Sequence, residues 1–161
     1  MKKKSNPPPS SFEPEFIEGL RLMFEERIRF NQVLGIKLVE LTGERVVGRV
    51  DMRPELVGHY AYNRLHGGVI SATLDAMGGM AVMAAIGARH MDEPPSRRLE
   101  RFAKLGTIDL RVDYLRPGLG EYFTAHAEVM RLGSRVASTR MEFRDARGKL
   151  LSTGSAAYIM S

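Results

Sequence analysis

The stretch Asn63–Asp75, NRLHGGVISATLD, sets a histidine and two glycines ahead of an apolar run that carries one carboxylate. Across Leu65–Ala88 the ionisable side chains are His66 and Asp75 alone. A carboxylate withdrawn from water is costly unless it is partnered or put to use. Asp75 is therefore either a satisfied buried hydrogen-bonding group or a base or nucleophile. If the run is helical, the amides of its first turn have no intrahelical partner and carry the positive end of the dipole. Gly67 and Gly68 lack side chains, so a ligand can come close to those amides. A carbonyl oxygen gaining negative charge would be stabilised there. A tight turn or close helix–sheet packing is the alternative role for the pair.

His66 and Asp75 stand nine positions apart. On a helix that is two and a half turns, roughly 13 Å along the axis and on opposite faces. One chain cannot easily bring its own helix start and its own Asp75 to the same substrate atom. A site that uses both demands two chains, with Asp75 of one facing Gly67 of the other.

The elements that must position these groups can be read from periodicity. Phe12–Phe30 has a helical repeat, with Phe16, Leu20, Met23, Phe24 and Ile28 near one face, and is expected to be one amphipathic helix. Ile36–Leu41 and Arg45–Met52 read as paired strands joined at Thr42-Gly43-Glu44, followed by a loop over 54–64. Leu65–Ala88 approaches the length of a membrane span, but its small residues and central carboxylate argue for a helix wrapped by protein. Residues 89–106 form a polar, Pro-containing stretch, expected to be a flap or disordered. The last third reads as four long antiparallel strands, the first with Ile108, Leu110, Val112 and Tyr114 on one face. Six strands and one long helix give an α+β domain in which a six-stranded antiparallel sheet wraps a central helix.

The 161-residue chain suits one domain, expected over 12–161 behind an extended or disordered tail at 1–11. The tail's lysines run into prolines rather than an apolar segment, unlike a signal peptide, and a cytoplasmic location is expected. There is no cysteine, which excludes disulfides and cysteine-based metal sites. The net charge of +5 is not gathered into a basic stripe interleaved with aromatics, so no nucleic-acid partner is expected, although a phosphate-bearing small molecule would suit it. His90 and His126 have no ligand spacing with other groups, so no metal is assigned.

LHGGVISATLD followed by TIDLRVDYLRPG resembles the hotdog-fold acyl-CoA thioesterases of the PaaI type, over about Gly35–Ile159. The resemblance implies a hotdog fold, no cofactor beyond the coenzyme A of the substrate, and a homodimer joined edge to edge or a dimer of dimers. It implies that Asp75 activates water or attacks the thioester carbonyl, and that the Gly67 amide is the oxyanion donor. His66 would position the thioester and Thr107 would help to hold the attacking water. Many relatives carry an asparagine six or seven residues before the histidine. Here His59 and Tyr60 occupy that place and Asn63 is the nearest asparagine, so His59 is a candidate substitute.

Substrate-binding candidates are Gly68, His59 and Asn63, with Met77 in a flexible acyl pocket and Arg116, Arg131 and Arg135 on the coenzyme A phosphates. The leading expectation is hydrolysis of a medium-chain, long-chain or aryl acyl-CoA. A non-catalytic acyl-CoA binder and a hotdog enoyl-CoA hydratase or dehydratase are the alternatives.

Overall fold

The computed structural model describes residues 12–161. The expected tail at 1–11 lies outside the described residues. The chain opens with α1 (Pro14–Leu22), with proline in its first turn and Phe16 and Leu20 buried. The expected single helix does not run on to Phe30. It widens into a π turn at Met23–Arg27, breaks at Ile28, and restarts as α2 (Arg29–Leu34), which ends on Gly35 at φ 70°.

The break follows from buried polar groups. The Glu25 carboxylate turns inward to accept the Leu38 N–H at 2.8 Å, and Arg21 and Lys37 each approach it at 3.1 Å. The buried Asn31 amide donates to the Phe24 carbonyl at 2.9 Å, and Gln32 donates to the Glu26 carbonyl at 2.8 Å. Carbonyls freed by the interruption are thus satisfied by side chains.

The strands β1 (Lys37–Leu41) and β2 (Arg45–Asp51) form the expected hairpin. A short ribbon follows, β3 (Val57–His59) with β4 (Arg64–Leu65), flanked by 3-10 turns where a plain loop was expected. The long helix α3 spans Gly67–Arg89. Then come α4 (Pro95–Glu100), β5 (Gly106–Tyr114), β6 (Tyr122–Leu132), β7 (Val136–Asp145) and β8 (Leu150–Ile159). The main sheet has the order β1-β2-β6-β7-β8-β5, and every pairing is antiparallel. The expected α+β architecture is what the chain adopts.

α3 is buried against this sheet rather than exposed along its length. Leu74, Met77, Met80 and Val82 are inaccessible, as are Phe123, Met141 and Phe143 on the facing strands. Its apolar character reflects burial on several sides, which is why its length resembles a membrane span.

The polar stretch after α3 is ordered against the N-terminal helix. Arg98 of α4 is fully buried, its guanidinium 4.3 Å from the Phe16 ring and paired with Glu13. The expected flap is therefore a packed helical connection. On β5 a bulge between Thr107 and Asp109 breaks the strict alternation. Leu110 and Val112 face the core as expected, whereas Ile108 is exposed.

Candidate active site

His66 is the N-cap of α3. Its Nδ1 accepts the Gly68 N–H at 2.8 Å, so a neutral ring carries its proton on Nε2, facing outward. The Gly68 amide is thereby consumed. The Gly67 N–H has no hydrogen bond among the described residues, and the Gly67 carbonyl accepts from the Tyr114 hydroxyl at 3.0 Å. Gly67, not Gly68, presents the free donor at the positive end of the helix.

Asp75 lies two turns further on and is half-buried. Thr107, at the start of β5, donates its hydroxyl to Asp75 Oδ1 at 2.8 Å. Asp75 Oδ2 has no hydrogen bond among the described residues. The carboxylate opens onto a cavity of about 280 Å³ together with Thr107 and Tyr158.

Tyr158 of β8 was not legible as a site residue. Its hydroxyl donates to the Asp75 carbonyl at 2.8 Å and lies 3.4 Å from Oδ1. Burial, then the negative charge of Asp75, push this phenol far above its ordinary range, so it acts as a fixed donor. The approach is possible because Gly78 has no Cβ: a methyl group there would collide with the Tyr158 hydroxyl. The glycine pair in mid-helix, Gly78-Gly79, was the available signal, since isolated glycine within a helix often marks close packing.

The remaining candidates separate. Met77 is 0% exposed and packs in the core against Gly48, away from the cavity; Met83, two turns beyond Asp75, lines it instead. Asn63 adopts φ 47° and closes a 3-10 turn, a left-handed position that asparagine tolerates. His59 is exposed, its ring 4.8 Å from that of Tyr62.

Arg116 follows β5 beside the N-terminal end of α3, where Leu65 N–H donates to the Gly118 carbonyl, and its guanidinium donates to the Leu150 carbonyl at 3.0 Å. Arg131 and Arg135 flank the β6–β7 turn, which Arg89 ties to the other end of α3. A 23-residue helix is about 34 Å long. The three arginines of one chain therefore cannot grip a single diphosphate.

The comparisons with known proteins identify the family. The thioesterase superfamily model matches residues 62–152. The medium/long-chain acyl-CoA thioesterase YigI of Escherichia coli strain K12 is 36% identical over 138 residues, which is 86% of this chain and 89% of that protein. A crystal structure from Shewanella oneidensis, described as related to the thioesterase superfamily, is 35% identical with a TM-score of 0.85, covering 93% of this chain and all of that one (100%). The zebra fish thioesterase superfamily member 2 shares the fold at a TM-score of 0.71 and 19% identity, over 94% of this chain and 100% of that one. By its family match, its overall similarity and its helix-in-sheet architecture, the chain belongs to the thioesterase superfamily and is a hotdog-fold thioester hydrolase.

Proposed function

We propose that this protein hydrolyses a medium- or long-chain acyl-CoA to the free acid and coenzyme A, at a site shared between two copies of the chain. Asp75 is the base. Its Oδ1 is held by Thr107, which leaves Oδ2, without a hydrogen bond among the described residues, to take a water molecule. Asp75 takes a proton as that water attacks the thioester carbonyl carbon. Negative charge collects on the carbonyl oxygen at the Gly67 amide of the second copy. The C–S bond then breaks, the carbonyl re-forms, and the thiolate of coenzyme A takes up the proton. This gives Thr107 the carboxylate as its partner, where the resemblance implies the water. Similarity to a relative named for medium- and long-chain acyl-CoA supports the substrate class.

One observation carries the two-chain reading. β5 is an edge strand, paired only with β8. Its Tyr114 end holds Gly67 through the tyrosine hydroxyl, and its Thr107 end holds Asp75. Antiparallel pairing of β5 with its own copy about a two-fold axis sets the Tyr114 end of one chain against the Thr107 end of the other. Gly67 then faces Asp75 across the interface. The same operation brings Arg116 of one chain to the end that carries Arg131 and Arg135 in the other, which answers the separation within one chain.

The test is thiol release from acyl-CoAs ranging from acetyl to palmitoyl, plus phenylacetyl and benzoyl. Asp75→Asn should fold normally and lose about 10²–10⁴-fold in kcat, the usual worth of a general base. Full activity in a folded Asp75→Asn protein would remove Asp75 from the role. Binding without turnover by the unaltered protein would favour the non-catalytic alternative.

A further inference from the structure

We infer that the break in the N-terminal helix is a specificity device, and that Ile28 and Phe30 set the preferred acyl-chain length. The inference rests on the acyl-CoA reading above. The cavity beside Asp75 is bounded on one side by α3 and β8, and on the other by Phe24, Ile28, Phe30 and Asn31 of the N-terminal segment. On α3 the wall is Ala72, Ala76, Gly79 and Met83, spaced four, three and four residues apart, which keeps them on one face. Two alanines and a glycine leave a trough past Asp75, and Met83 closes it about 12 Å along the axis beyond the carboxylate.

An uninterrupted helix through residue 30 would continue the direction of α1. The π turn and the extended residue at Ile28, with ψ 98°, redirect the chain instead. The redirection is built rigidly. Glu25 fixes the turn to β1, and Asn31 and Gln32 bond carbonyls on its far side. Glu25 and Asn31 make these bonds while buried, and Gln32 makes its bond at the surface. A π-type interruption often accompanies a functional site.

Phe30 remains 58% exposed and Ile28 36% exposed, although both line the cavity. They are apolar surfaces at its mouth with room for contact. An alkyl chain that outgrows the trough meets them next. A short acyl group, held close to Asp75, does not. Burial of each methylene favours binding by an amount equivalent to about fourfold in kcat/KM.

The experiment measures kcat/KM on butyryl-, octanoyl-, decanoyl- and palmitoyl-CoA for the unaltered protein and for Ile28→Ala, Phe30→Ala and the double variant. Val33→Ala is the control, since Val33 is exposed on α2 but does not line the cavity. The ratio of long-chain to butyryl kcat/KM should fall about tenfold in the double variant and stay within twofold in Val33→Ala. Melting temperatures establish that the variants are folded. A second arm, Ala76→Phe, blocks the trough itself and should move the preference toward butyryl-CoA. An unchanged ratio in the folded double variant would overturn the inference, as would an equal loss at all lengths. The two readings fail separately: activity surviving in Asp75→Asn defeats the catalytic assignment, whereas an unaltered chain-length ratio with an inactive Asp75→Asn defeats only the role of Ile28 and Phe30.

Discussion

Substituting Gly78 by alanine tests whether Tyr158 supports Asp75. The added methyl would collide with the Tyr158 hydroxyl and sit 3.0 Å from its Cζ and 3.1 Å from Thr139 Oγ1. Gly78 and Thr139 are buried, so the tyrosine relieves the clash by shifting toward the cavity it lines, off its bond to the Asp75 carbonyl. Three effects compete. Alanine improves helix propensity by about 1 kcal/mol. Overpacking costs about 1–3 kcal/mol. Loss of the hydroxyl bond to the Asp75 carbonyl costs about 0.5–1.5 kcal/mol. The net is destabilising by about 0.5–3.5 kcal/mol, equivalent to a melting temperature lower by about 1–14 °C for a chain of this size. Displacement of the carboxylate should lower kcat about 10²-fold. Calorimetry and thiol release read the two effects. Combining Gly78→Ala with Tyr158→Phe removes the clashing oxygen, so the double variant should be less destabilised than the sum of the two single changes. A Gly78→Ala protein that melts higher than its parent, with kcat unchanged, would refute the packing argument.

Other outcomes follow from the same structure. Met77→Ala should cost about 2–5 kcal/mol of stability, because the side chain is fully buried. It should leave the chain-length preference unchanged in a folded sample, and a changed preference would return Met77 to the pocket. In a single turnover in ¹⁸O-water, the label should enter the released acid directly and be absent from the Asp75 carboxylate, as a general base requires; labelled Asp75 would make it the nucleophile. His126 on β6 is held below the usual histidine pKa by desolvation first, then by Arg45 and Arg144, with Glu142 and Glu40 opposing. The unfolded chain therefore binds this proton more readily. Stability falls as pH drops through the ordinary histidine range and levels off below the depressed folded value. His126→Gln should remove that part of the slope when melting temperature is followed from pH 8 to pH 5.

The elements were legible where a pattern repeats. Alternation gave β6, β7 and β8, and the apolar run gave α3 to within two residues at its start. What escaped the sequence depended on contacts made across it. Periodicity carries the N-terminal helix smoothly through Ile28, because the break is imposed by Glu25 reaching the Leu38 amide on β1 and by Asn31 reaching back to Phe24. The stretch after α3 looked loose because its anchor is a buried arginine stacked on Phe16, a residue far away in sequence.

The site divided in the same way. Asp75, Gly67 and Thr107 stand out through residue type and through the resemblance of their surroundings. Tyr158 sits in an ordinary strand and becomes a site residue only when Gly78 admits it. Met77 and Met83 share the same composition argument, and only the rotation of the helix against the sheet separates core from cavity. The arginines could be nominated singly, but their distance apart is a property of the fold.

In the proposed dimer each site takes Asp75 from one chain and the Gly67 amide from another. Gly67 occupies the first position of α3, where proline is well tolerated, and His66 has the extended conformation that a following proline requires. Gly67→Pro therefore removes the N–H without breaking the helix, its Cβ meeting Tyr114 Cε1 at 3.3 Å. Differently tagged Asp75→Asn and Gly67→Pro chains, each inactive alone, are to be co-expressed and the mixed dimer isolated. About half the activity of the unaltered dimer is expected, because one of the two sites receives an intact Asp75 and an intact Gly67 amide. A mixed dimer no more active than either parent would place both groups in the same chain and contradict the shared site.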